Sequence, residues 1–161
     1  MKINLSKRMT VVTGLVIFFG VVNILLLLVQ GEKTVGGIWT EHEDAFAKWD
    51  ESILGFQIIL FVGRMVFGIV INVFAMLFML HSIKLMRCGE FFSKRNAIIL
   101  WWAAPVYFLY SFCSDNMPLV YGADIPAVLN PDSILVPLLL IGIAMIYSTG
   151  VRLSEENRLT V

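Results

Sequence analysis

Four long apolar stretches, at residues 10–30, 53–85, 97–113 and 134–151, leave this chain few ways to fold. A helix needs about 20 apolar residues to cross the hydrocarbon core of a bilayer. Inside lipid a helix satisfies its own backbone hydrogen bonds, so helices are the natural form for such runs. The sequence therefore predicts an all-α integral membrane protein, a four-helix bundle forming one transmembrane domain over residues 1–161. Composition agrees: the chain is 58% hydrophobic and 15% charged, against about 25% charged in soluble domains. Nothing sizeable remains for a separate soluble domain, and no basic patch is large enough to bind nucleic acid directly.

The charges between the stretches alternate in sign. Lys2, Lys7 and Arg8 precede the first, Lys84, Arg87, Lys94 and Arg95 lie between the second and third, and Arg152 and Arg158 follow the fourth. The other two gaps hold only Lys33 and Lys48, among Glu32, Glu41, Glu43, Asp44, Asp50, Glu51, Asp115, Asp124 and Asp132. Basic residues near span ends stay on the cytoplasmic side, so both termini are expected there. The first stretch is too long for a secretory signal core, and Val-Gln-Gly-Glu after it is no cleavage site. It reads as an uncleaved anchor.

Local punctuation refines the picture. Thr40-Glu41-His42-Glu43 fits a capping box, with Phe46, Trp49 and Ile53 following at helical spacing. This predicts a short interfacial helix before span two. Gly89 sits where a helix C-cap glycine would, and Ser93 where the next helix wants its N-cap. The segment between them reads as a tight cytoplasmic turn. The loop 114–133, with Pro118, Pro126, Pro131 and Gly122, is expected to be irregular, with one helical turn after Asp124. Asn130-Pro131-Asp132 suits the start of the fourth span.

Arg64 is the most informative single residue, because an unpaired charge within a span costs several kcal/mol. Gln57 and Asn72 fall near the same helical face, and Asn23 of the first span is placed to answer them. Three readings stay open for Arg64. It anchors an anionic ligand or ion in a polar cavity, it pairs with an outer acid such as Asp115 or Asp132, or it snorkels to the headgroups. His42 and His81 lie on opposite sides, so no histidine metal centre is expected, nor any other cofactor. No Cys-x-x-Cys and no nucleophile–base set is visible, and no catalytic residue is assigned. Cys88 and Cys113 fall on opposite sides and read as small packing residues. The glycines allow close helix approach, serving internal packing first and homo-oligomerisation second.

Two stretches carry a family likeness. Gly89-Glu90-Phe91-Phe92-Ser93-Lys94-Arg95-Asn96 resembles the Gly-Glu-x-Phe-Ser-x-x-Asn turn of a bacterial family of small four-span membrane proteins of unknown function. The ending Glu155-Glu156-Asn157-Arg158-Leu159-Thr160-Val161 resembles that family's Glu-Glu-Asn-x-Leu-Thr-Val terminus. Its members are often encoded beside a Cro/repressor-type helix-turn-helix regulator, so the resemblance implies a non-enzymatic membrane partner of such a protein. Glu90, Phe91, Phe92, Lys94, Arg95, Glu155, Glu156, Leu159 and Val161 become the partner-binding candidates. Leu159 and Val161 either pack on Phe91 and Phe92 or insert into the partner. The alternative is a small transporter or channel-like protein built on Arg64, Gln57, Asn72 and Asn23.

Overall fold

The computed structural model describes the backbone of residues 2–35, 49–88 and 92–159, and the side chains of 8–34, 49–88 and 92–156. Five helices follow in order: α1 (Lys2–Val35), α2 (Leu54–Arg87), α3 (Lys94–Asp115), the single turn α4 (Met117–Val120) and α5 (Pro131–Leu159). Four are long and apolar enough to cross a membrane, over Arg8–Thr34, Leu54–Arg87, Lys94–Asp115 and Pro131–Glu156. The all-α four-span class expected from the apolar runs is the one observed, with no strand among the described residues.

The long helices pack in chain order. α1 lies on α2, α2 on α3, and α3 on α5. Small residues mark the closest approaches. A Cβ on Gly68 would fall 2.8 Å from Leu27 Cδ1 of α1 and 3.0 Å from Tyr110 Cε2 of α3, so α2 is notched there for both neighbours. Between the four spans an apolar cavity of about 380 Å³ is lined by Val16, Phe74, Leu100, Tyr107 and Leu140 among others.

The buried apolar cluster of the protein lies at the acid-bearing end. Leu60, Cys113, Met117, Leu119 and Val120 form one buried cluster, with Phe61, Phe67 and Phe112 against it. Midway along the spans, Phe18, Phe19, Trp102 and Ile146 are each more than 60% exposed within the protein. Lipid solvates apolar side chains as well as another helix does, so nothing drives them inward there. Where water competes, burial becomes favourable by about 25 cal/mol per Å².

Polar side chains fasten this end. The Asn116 amide group donates to the Phe112 and Val128 carbonyls, both at 2.8 Å, and its oxygen accepts from the Val128 amide at 2.7 Å. The Ser133 hydroxyl donates to an Asp115 carboxylate oxygen, tying the start of α5 to the end of α3. Residues 123–130 have no regular secondary structure, and the helical turn expected after Asp124 lies before it, as α4. Pro118 near the start of α4 suits a first turn, and Gly122 ends the segment with φ of 81°. Pro126 disfavours helix for Ile125 before it, in keeping with the absence of helix at 124–126.

Other local expectations are met at Ser93, whose hydroxyl accepts from the Asn96 amide at 3.2 Å, and at Pro131, which opens α5. Gly89, and Thr40, Glu43 and Phe46, where an interfacial helix is expected, lie outside the described residues. The described part of that segment, Trp49 to Ile53, is not helical and leads into α2 as a turn. There Asp50 takes up the hydrogen bonds, accepting from the Ser52 amide and hydroxyl at 2.8 Å each. The Trp49 ring stands edge-on to Phe61 at 6.5 Å.

Candidate functional site

Arg64 lies level with the polar ends of the other spans. It is twenty residues from Lys84, as Ser114 is from Lys94, and Gln30 is twenty-two from Arg8. At 1.5 Å per residue each interval covers about 30 Å, the thickness of a hydrocarbon core. Arg64, Gln30 and Ser114 therefore form a collar at matching distances from the basic flanks. Beyond it α2 continues about ten residues, and Leu54, Ile58, Ile59 and Val62 on one face of that overhang are exposed.

Neither Asp115 nor Asp132 neutralises Arg64. Its Nη2 donates to Gln30 Oε1 at 2.8 Å, and it makes no ion pair with any described carboxylate. Its Nε is buried without a hydrogen-bond partner. Asp115 is engaged by Ser133 instead. The pairing with an outer acid, one of the three readings, is not seen among the described residues; a neutral carboxamide of α1 meets the guanidinium instead. An open pocket of about 340 Å³ adjoins the guanidinium, lined by Gln30, Arg64, Ser114, Met117, Pro118 and Tyr121. The Tyr121 hydroxyl is 3.1 Å from that of Thr34, joining α1 to the residue after α4.

The other members of the polar face have different neighbours. Gln57 is 1% exposed, accepts from the Asp50 amide at 2.9 Å and donates to the Leu119 carbonyl at 2.8 Å. It is a staple between α2 and α4. Asn72 donates to its own helix at the Gly68 carbonyl. Asn72 and Asn23 do come together, lining a recess of about 330 Å³ beside Gly20. Neither lines the Arg64 pocket, and the central cavity carries a hydroxyl only at Tyr107. Gln57, Arg64 and Asn72 share a helix face but not a common cavity.

At the basic end, the turn before α3 and the end of α5 meet. Phe92 stands edge-on to Tyr147, with ring centroids 5.1 Å apart, and Tyr147 in turn meets Phe78 of α2 at 5.9 Å. Phe92 fits because Gly150 has no side chain. A Cβ there would lie 2.7 Å from the Phe92 ring. Beneath them Asn96, fully buried, donates to Ser82 Oγ at 2.8 Å and to the Tyr147 hydroxyl at 3.2 Å. Lys94 Nζ reaches Glu155 Oε1 at 3.1 Å, and Arg152 pairs with Glu156 one helical turn on. Both pairs are exposed, and such pairs contribute about 0–1 kcal/mol. Arg95 is exposed with no ion pair among the described residues. Glu90, Phe91, Val161 and the side chain of Leu159 lie outside the described residues.

The structure thus joins Phe92, Lys94, Glu155 and Glu156 in one junction and adds Tyr147, which sequence reasoning had not singled out, with Gly150, read there only as a packing glycine, and Asn96, read only as the end of the turn motif. It also adds Gln30, Ser114 and Tyr121 to Arg64. Counting twenty to twenty-two residues from each basic flank would have found Gln30 and Ser114. No group of three or more metal-ligating side chains occurs among the described residues. No family model, curated protein or solved structure matches the chain significantly.

Proposed function

We propose that this is a non-enzymatic regulatory membrane protein of the bacterial inner membrane, docking a cytoplasmic partner on the basic-side junction. The observation that carries the reading is the meeting of two distant stretches: Phe92 seated on Gly150 and Tyr147, with Lys94 against Glu155. These stretches also carry the family resemblance, which points to a small helix-turn-helix transcription regulator as the partner class. The junction has the chemistry for docking. Lys84, Arg87, Lys94, Arg95 and Arg152 surround it as exposed cations, Glu155 and Glu156 add acids, and Phe92 remains 40% exposed as an apolar anchor. Fixing both stretches before the partner arrives lowers the ordering cost of binding. Exposed charge pairs of little worth to the fold remain free to exchange for pairs with a partner.

The test is native purification in mild detergent with mass spectrometry of co-purifying proteins. A stoichiometric small DNA-binding protein is expected, lost on deleting residues 154–161 while membrane insertion is kept. Its retention by the truncated chain would refute the docking surface.

A further inference from the structure

We propose that the collar pocket around Arg64 is a binding site for a phosphate group at the membrane surface on the acid-bearing side. This goes beyond partner docking, which concerns the opposite end. A guanidinium has several N–H donors and no acceptor. Gln30 takes one of them, and the buried Nε has no partner. Leaving a buried charged donor unpaired is costly, more so than for a neutral group. Within a protein that cost is usually met by a carboxylate, and no described carboxylate is within ion-pair distance. Among the described residues nothing neutralises the guanidinium, and the open pocket beside it admits an anion from outside the chain.

Three features select phosphate. The pocket offers hydroxyls at Ser114 and Tyr121 beside the guanidinium, with no carboxylate in its lining. Arginine forms strong charge-assisted and commonly bidentate bonds to phosphate. The collar lies about 30 Å of helix from the basic flanks, which matches the separation of the two headgroup layers. Met117 and Pro118 complete the lining with apolar surface, and the exposed Leu26 and Val29 of α1 continue it toward the hydrocarbon. A phospholipid phosphodiester meets all these conditions at once. Free phosphate meets the first two and must approach past Glu32, Asp115 and Asp132.

Full-length protein in mild detergent, loaded with phosphatidylglycerol and examined by native mass spectrometry, tests the site. Diacylglycerol serves as the phosphate-free comparator, and a melting series with inorganic phosphate tests the free anion. Wild type should retain phosphatidylglycerol but not diacylglycerol, and Arg64→Gln should retain about tenfold less, as expected for losing charge-assisted bonds. Ser114→Ala, which leaves the fold intact, should weaken retention severalfold and guards against a misfolded Arg64 variant. Stabilisation by inorganic phosphate that needs Arg64, without lipid retention, would keep the site and make free phosphate its ligand. Equal retention by wild type, Arg64→Gln and Ser114→Ala, with no Arg64-dependent phosphate effect, would overturn the proposal. So would an unfolded Arg64→Gln together with an unaltered Ser114→Ala.

Discussion

Replacing Gln57 by leucine tests whether this polar residue is a staple. The leucine is of similar bulk and suits an apolar helix, so hydropathy alone predicts a neutral or stabilising change. The structure predicts otherwise. Gln57 is 1% exposed and links the Asp50 amide, at 2.9 Å, to the Leu119 carbonyl, at 2.8 Å. Losing the first bond costs about 1 kcal/mol, because the exposed Asp50 amide can turn to water. Losing the second strands a carbonyl among buried residues, at about 1–3 kcal/mol. Apolar burial of the new side chain returns about 1 kcal/mol. The net loss is about 2 kcal/mol, concentrated where α4 meets α2. Hydrogen exchange in the native state reads that loss locally. Amides bonded around α4, those of Leu119, Tyr121, Gly122 and Ala123, should exchange about thirtyfold faster at 1.4 kcal/mol per tenfold. Amides midway along α5 should be unchanged. Unaltered exchange around α4 would refute the staple, as would uniform acceleration throughout the chain.

Gly150→Val should lower stability by about 1–3 kcal/mol through overpacking against Phe92. Detergent melting measures this, and co-purification of any partner should fall with it. Ser93→Ala removes the N-cap of α3 and should cost about 1 kcal/mol in the same assay. Hydrogen bonds from the Ser52 amide and hydroxyl hold the Asp50 carboxyl below its ordinary value of 3.8. A lowered folded pKa contributes stability that is complete above the ordinary value and is lost as pH falls through the lower one. The Ser52 amide shift, followed by NMR, should therefore titrate with a midpoint below 3.8; a midpoint above it contradicts the geometry. Cys88 is exposed at the basic end and Cys113 is buried. An impermeant maleimide should label Cys88 in inverted membrane vesicles and not in intact cells, and labelling of intact cells would reverse the topology.

The spans were legible because each apolar run is bounded by charge. The run 53–85 became Leu54–Arg87, and 97–113 became Lys94–Asp115. The first and last helices exceed their runs by several residues at each end, since hydropathy reports the thickness of the slab while the helix continues until its backbone is capped. Ser93 and Pro131 were legible because caps depend on immediate neighbours. The partners of Arg64 and Gln57 were not. Seven residues along a helix is about 10 Å, so Gln57 and Arg64 share a face yet meet different elements. Which element each meets depends on the rotation and depth of the neighbouring helices, which no single helix encodes. The junction at Gly150 had a partial trace, in that two stretches on one side of the membrane each carried family-like residues. Nothing in either stretch stated that Phe92 would take the space above a glycine of α5.

The serial packing of α1 on α2, α2 on α3 and α3 on α5 has a consequence for biogenesis. Each span rests chiefly on the one that entered the membrane just before it. Most of the helix packing then joins spans that are neighbours in the chain, and its loop-closure entropic cost stays low. Structures dominated by such near-sequence contacts assemble quickly. The chain can therefore dock helix by helix during insertion. Only the arrival of α5 completes the junction with Phe92 and the Ser133–Asp115 tie, so those two contacts at opposite ends of α5 mark the last step of assembly.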